Sequence, residues 1–113
     1  MEKFILLFRG SDAYEVDESS GALDALTEKM MDWVGTIAKK GQHVYSEKFH
    51  RSGKQIGGNA LELAGNPLGN AKDIIGGCTV VLAENFDAAV AIAEACPILA
   101  TNATIEVRQI TCI

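Results

Sequence analysis

The stretch GNPLGNAKD at residues 65–73, which runs directly into IIGGCTVVL at residues 74–82, guides the interpretation of the whole chain. Its first half combines glycine and asparagine, which tolerate unusual backbone angles, with a proline, which fixes one. Its second half is rich in β-branched residues and is the longest strand-like run in the sequence. We therefore predict a shaped loop that leads into a central strand, a place where a small domain can form a binding site.

The rest of the chain alternates between strand-like and helix-like patterns. Apolar residues recur at helical spacing through the first helix, whereas Asn85 suits the cap of the second helix and Pro97 ends it. A turn at residues 52–53 joins two strands into a hairpin. In chain order we expect strands at residues 3–9, 43–51, 54–58, 73–82 and 104–110, and helices at residues 22–40 and 85–95.

This order of elements predicts an α+β fold, a ferredoxin-like βαββαβ sandwich with an extra hairpin, in a single domain over residues 1–113. In such a sandwich the helices cover one face of the sheet. Both alternating sets of the first strand are apolar, with Phe4, Leu6 and Phe8 in one set and Ile5 and Leu7 in the other. The second face therefore also needs cover, and we predict a homodimer that packs sheet on sheet.

Composition limits the classes of function. The 113 residues are 48% hydrophobic, which is typical of a globular domain, and no apolar run approaches the roughly 20 residues of a membrane span. The N-terminus has no cleavage site of a signal peptide, so we expect a cytoplasmic protein. A formal charge of −5 argues against nucleic acid as a partner.

The cysteines and histidines do not form a metal-binding pattern. Cys78, Cys96 and Cys112 are an odd number without CxxC spacing, which predicts free thiols and neither a disulfide framework nor a structural zinc site. A regular strand would place His43 and His50 on opposite faces, so they should not form a metal pair. We predict no metal and no cofactor.

Several residues are candidates for ligand contact, each with a structural alternative. His50 is the weak candidate for an acid–base role, because histidine is readily tuned near neutral pH, although a surface position is the alternative. Arg9 is a candidate clamp for a carboxylate or, alternatively, a dimer contact. For Arg108 we favour a pair with an acidic neighbour. Lys72 is placed to aim a charge at a bound anion, and Asn66 and Pro67 shape the rim of the expected cleft.

Short pieces spread along nearly the whole chain give it a family resemblance. They are KFILLFRG at residues 3–10, MDW at residues 31–33, KDIIGG at residues 72–77, CPIL at residues 96–99 and IEVR at residues 105–108. Together they resemble the YCII-related domains, also called the DGPF family. The resemblance implies a dimeric α/β barrel with a ferredoxin-like fold. It also implies a cleft between helix and sheet, and isomerase- or lyase-type chemistry on small aromatic or lactone compounds.

The motif that names the family is degenerate here. The Asp-Gly-Pro-Phe pattern falls on residues 65–68, where only Pro67 is kept, and the acidic residue that follows it falls on Asn70. A histidine–aspartate pair of some family members aligns near Met30 and near Cys96, and neither side chain can serve as the same general base.

Two functions therefore stay open. The first is a homodimer that binds a small organic or anionic molecule in a cleft between sheet and helices, with isomerase- or lyase-type activity as an option. The second is a non-catalytic module for dimerisation or partner binding.

Overall fold

The computed structural model describes residues 1–10, 22–50, 53–54 and 74–111. These residues form four strands, two α-helices and a short 3₁₀ helix. In chain order they are β1 (Glu2–Arg9), α1 (Ala22–Lys39), β2 (His43–Lys48), β3 (Ile75–Ala83), α2 (Phe86–Glu94), the 3₁₀ helix (Pro97–Ala100) and β4 (Thr104–Ile110).

The four strands form one sheet in the order β2-β3-β1-β4, and all three neighbouring pairs are antiparallel. The two inner strands, β3 and β1, are not neighbours in sequence, because each is followed by a helix that returns the chain across the sheet. This is the ferredoxin-like arrangement. The prediction of an α+β ferredoxin-like fold is confirmed.

One face of the sheet carries the core. Phe4, Leu6 and Phe8 of β1 are all buried on this side and pack with residues of both helices. Trp33 joins the helices, because its Nε1 donates to the carbonyl oxygen of Ile92 at 3.1 Å and its ring meets that of Phe8 edge to face. Trp33 is therefore part of the core.

The other face of the sheet is partly open. Ile5 and Leu7 alternate with the core residues of β1, and both are only half-buried. Their partners across β3, Val80 and Cys78, are buried within the single chain. The open apolar area therefore lies mainly on the β1 and β4 half of this face.

The predicted elements agree with the structure except near β2. That strand ends at Lys48, three residues before the predicted end, and Gly53 and Lys54 lie in no helix or strand. The remainder of the predicted hairpin lies outside the described residues. Asn85 caps α2 as predicted, since its Oδ1 accepts from the backbone N–H of Ala88 at 2.8 Å.

Candidate functional site

A cleft of about 480 Å³ lies between α1 and the β2–β3 half of the sheet. This volume is in the range of pockets for small organic ligands, roughly 300–1,000 Å³. Among the described residues, its lining comes from α1, from β1, β2 and β3, and from the 3₁₀ helix. The lining residues are Phe8, Leu26, Thr27, Met30, Met31, Val34, Gly35, Ser46, Glu47, Lys48, Cys78, Thr79 and Ile98.

Helix α1 forms the apolar wall of the cleft. Leu26, Met30 and Val34 recur at a spacing of four residues, so their side chains line one stripe of the helix. All three are only partly buried, because they pack against the core on one side and border the cleft on the other. Gly35 widens the wall, since a Cβ placed there would meet no atom within 4 Å.

The polar part of the cleft lies mainly on the sheet, where Ser46, Thr79, Glu47 and Lys48 line it. Ser46 and Thr79 are direct partners across β2 and β3, and their side-chain oxygens are 2.9 Å apart. Thr79 is the only buried polar side chain in the described residues, with 1% exposure. A buried hydroxyl normally needs a hydrogen-bond partner, and Ser46 supplies it.

A third side chain, that of His43, is hydrogen-bonded to this pair. His43 Nε2 lies 3.0 Å from Ser46 Oγ. In a regular strand two residues three positions apart would point to opposite faces. The register of β2 against β3 shifts between His43 and Tyr45, however, and this bulge turns His43 to the side of Ser46. The premise of a regular strand through His43 and His50 is therefore wrong.

At the inner end of the cleft, Met30 contacts a cysteine. The thiol of Cys96 lies 3.6 Å from the Met30 sulfur, and Cys96 is buried in the core. Burial raises the pKa of the Cys96 thiol from its ordinary value of 9.0 to about 11, although a hydrogen bond from the Ile98 backbone opposes that rise. Cys96 is therefore a free, buried thiol, as the cysteine pattern predicts, and its raised pKa favours the protonated form near neutral pH.

Two of the predicted ligand-binding residues lie in the described part of the chain, and neither lines the cleft. Arg9 points to the opposite face of the sheet, where its Nη2 is 3.2 Å from Glu106 Oε1 and both side chains are about a third exposed. The same glutamate lies 4.0 Å from Arg108 Nε, so the expected acidic neighbour of Arg108 is present. His50 follows the end of β2 and is exposed.

The other predicted ligand-binding residues, Asn66, Pro67 and Lys72, lie outside the described residues. Their proposed contacts, like those of Arg9 and His50, stay predictions.

Residues 8–113, nearly the whole chain, match the family model of the YCII-related domain. The chain belongs to the YCII-related family. The resemblance expected from the sequence is thereby confirmed. No curated protein matches the chain.

As a YCII-related domain, the protein has its cleft where the resemblance placed it, between a helix and the sheet. Met30 and Cys96, the residues near which the resemblance would place a histidine–aspartate pair, are in contact through their sulfur atoms. No group of three or more potential metal ligands lies in the described ranges. None of the helices there combines the length and apolar character needed to cross a bilayer.

Sequence reasoning missed His43, Ser46 and Thr79 as members of the site. One signal was available: Thr79 is a hydroxyl inside the otherwise apolar run at residues 74–82, and alternation places it on the same face as Leu6. Such a residue needs a partner on the neighbouring strand. The bulge that brings in His43 has no comparable signal, because Val44 is an ordinary strand residue.

Proposed function

We propose that this YCII-related domain binds a small, mostly apolar organic molecule in the cleft between α1 and the sheet. The observation that carries the proposal is the combination of an apolar wall on α1 with polar groups gathered on the sheet, where the Ser46–Thr79 hydroxyl pair lies beside the lining residues Glu47 and Lys48. Pockets for small ligands generally have this composition, in which apolar lining provides affinity and a few polar groups fix orientation.

The lining indicates the class of ligand. Two methionines, Met30 and Met31, border the cleft, and their flexible thioethers adapt to the edges and faces of aromatic rings. The hydroxyl pair can donate or accept one hydrogen bond to a ligand oxygen. A small aromatic or lactone compound with a single hydroxyl or carbonyl group fits both features.

Ligand binding is better supported than the isomerase- or lyase-type acid–base catalysis that the family resemblance implies. Proton transfer near neutral pH needs a group that titrates there, and neither the Met30 thioether nor the buried Cys96 thiol does so. An isomerase or lyase mechanism at these two positions would need groups that the chain has replaced. The alternative function, a non-catalytic dimerisation or partner-binding module, predicts that the cleft binds no small molecule.

The ligand class can be tested with phenol and toluene, which have nearly the same shape but differ in one hydroxyl group. We expect Thr79→Val, which keeps the side-chain shape and removes its hydroxyl, to weaken phenol binding about tenfold, the effect of losing one hydrogen bond. Toluene binding should be unchanged in the same variant. Isothermal titration calorimetry measures both dissociation constants.

Thr36→Val is the matched control, because the Thr36 hydroxyl donates to the Asp32 carbonyl on the exposed side of α1 and does not line the cleft. Equal weakening of phenol and toluene binding by Thr79→Val would contradict the proposed role of the hydroxyl pair. Failure of wild-type protein to bind either compound would favour the partner-binding module.

We also propose that the protein is a homodimer formed through the open sheet face, as in a dimeric α/β barrel. Ile5 and Leu7 supply an apolar strip on that face, and Tyr45 of β2, which pairs with Val80, is 47% exposed. A second copy of the chain would cover these groups about a two-fold axis, with the same patch contributed by each subunit. The Arg9–Glu106 ion pair would lie at the border of this contact.

A further inference from the structure

We propose that Ser46 and His43 form a nucleophile–base pair that accepts the acyl group of small reactive esters and lactones, a proposal that rests on ligand binding in the cleft. Met30 and Cys96 cannot supply a base, but Ser46 and Thr79 line the same cleft on the sheet, and His43 is hydrogen-bonded to Ser46. This set of side chains has the composition and spacing of an activated hydroxyl.

The first support is the distance between the two side chains. His43 Nε2 and Ser46 Oγ are 3.0 Å apart, within the roughly 2.6–3.2 Å at which an imidazole can take a proton from a hydroxyl nucleophile. Ser46 lines the cleft, so its oxygen is available to a bound molecule. His43 is only half-buried, so a proton accepted there can exchange with water.

The second support is the irregular backbone that brings the pair together. The register shift next to Val44 places His43 and Ser46 on one side of β2, although they are three residues apart. Bulges of this kind re-aim side chains and are common beside active sites. Without the shift, alternation would put the imidazole on the opposite face from Ser46 and separate the base from the hydroxyl.

The third support is a buried partner that orients Ser46. Thr79 Oγ1 lies 2.9 Å from Ser46 Oγ and is fixed in the sheet with 1% exposure. When Thr79 donates its hydrogen to Ser46 Oγ, the Ser46 hydrogen is left to donate to His43 Nε2. Thr79 is thus a positioning residue that sets the direction of the hydrogen bond between the nucleophile and its base.

The reaction balances without a cofactor. Ser46 Oγ bonds to the carbonyl carbon of the ester while His43 Nε2 takes the hydroxyl proton. The ester C–O bond then breaks, and the departing oxygen takes the proton from His43. Water, deprotonated by the same imidazole, adds to the acyl carbon and releases the acid, and Ser46 Oγ recovers its proton.

The pair supplies a nucleophile and a base. Its best substrates are therefore acyl compounds whose leaving oxygen departs readily without further stabilisation of its charge. Aryl esters with stable phenolate leaving groups meet this condition, as do strained lactones, whose ring opening releases strain. The apolar wall formed by Met30 and Val34 would hold the aromatic or alkyl part of such a molecule.

The test uses 4-nitrophenyl acetate with the full chain. We expect a burst of 4-nitrophenol and a mass gain of one acetyl group, located by peptide mapping on Ser46. Ser46→Ala should lose this label, and Ser46→Cys should keep acyl transfer at the same position, because a thiol is also a nucleophile. His43→Gln should slow the burst by about 100-fold, the scale of a lost general base.

Thr36→Ala removes a hydroxyl on the exposed side of α1 and should leave the burst unchanged. Acetylation only at other residues, no acetylation at all, or an equal burst rate in His43→Gln would overturn the proposal. Phenol binding, measured by calorimetry on the same samples, separates the two proposals. Retained binding without acylation removes only the nucleophile–base pair, whereas loss of both in wild-type protein removes the ligand-binding cleft as well.

Discussion

At the scale of single residues, the pair Met30 and Cys96 shows how the site differs from the pattern that the resemblance implies. The two sulfur atoms are 3.6 Å apart, and neither side chain is an acid–base group near neutral pH. Cys96 is buried in the core, and this burial raises the pKa of its thiol and keeps the thiol neutral.

The raised pKa of Cys96 predicts a loss of stability at high pH. The thiol has a pKa of about 11 when folded and near its ordinary value of 9.0 when unfolded. Above pH 9 the unfolded chain therefore binds fewer protons than the native protein, and the free energy of unfolding falls as the pH rises toward 11. Urea denaturation at intervals between pH 7 and pH 11 measures this decline.

Cys96→Ala is the comparison, because it removes the titrating group. The difference in unfolding free energy between wild-type protein and this variant should be constant up to about pH 9 and should then shift in favour of the variant. Cys78, whose pKa burial also raises, is present in both proteins and cancels in the difference. A difference in unfolding free energy that stays constant from pH 7 to pH 11 would contradict the raised pKa of Cys96.

At the scale of the elements, the sequence predicts most of what the structure contains. The bounds of β1, α1 and β4 agree within one residue, because alternation, helical periodicity and capping act locally. The 3₁₀ helix Pro97–Ala100 was not predicted, since a proline after a helix indicates only that the helix has ended. This short element matters, because it brings Ile98 to the cleft.

The candidate site was less predictable than the elements, for a physical reason. Cleft-lining residues such as Met30 and Val34 follow from the apolar stripe of α1, which is a periodic signal. The polar group depends instead on the register between β2 and β3 and on a bulge in β2, both of which are set by tertiary pairing. Sequence reasoning singled out His50 for the tunable pKa of histidine and missed His43, because the regular strand it assumed has no bulge.

At the scale of the whole molecule, the open sheet face underlies the proposed dimer. Leu7→Lys places a charge in this apolar strip. Burying a lysine at a subunit contact would weaken the free energy of dimer association by several kcal/mol. Leu7 lies directly opposite Glu106 on β4, so the new side chain can pair within one chain and the fold of the subunit should survive. We expect sedimentation equilibrium at micromolar concentration to give a dimer for wild-type protein and a single 12.0 kDa chain for the variant.

Leu99→Lys is the matched control for this change, since Leu99 is an exposed leucine on the 3₁₀ helix and not on the sheet face. It should leave the dimer intact. A monomeric mass for wild-type protein at the same concentration would contradict the proposed assembly, and equal dissociation by both substitutions would argue that another surface forms the contact.

The central claim, that the cleft between α1 and the sheet binds a small organic molecule, is tested most directly by filling it. Gly35 lines the cleft with open space beside it, so Gly35→Phe would place a ring where the ligand would lie, whereas Gly35→Ala adds only a methyl group and strengthens the helix by about 1 kcal/mol. The measurement is calorimetric titration of both variants with phenol. We predict that Gly35→Phe weakens binding by about tenfold or more, a loss of at least about 1.4 kcal/mol, and that Gly35→Ala binds as wild-type protein does. Undiminished phenol binding by a folded Gly35→Phe variant would contradict the claim.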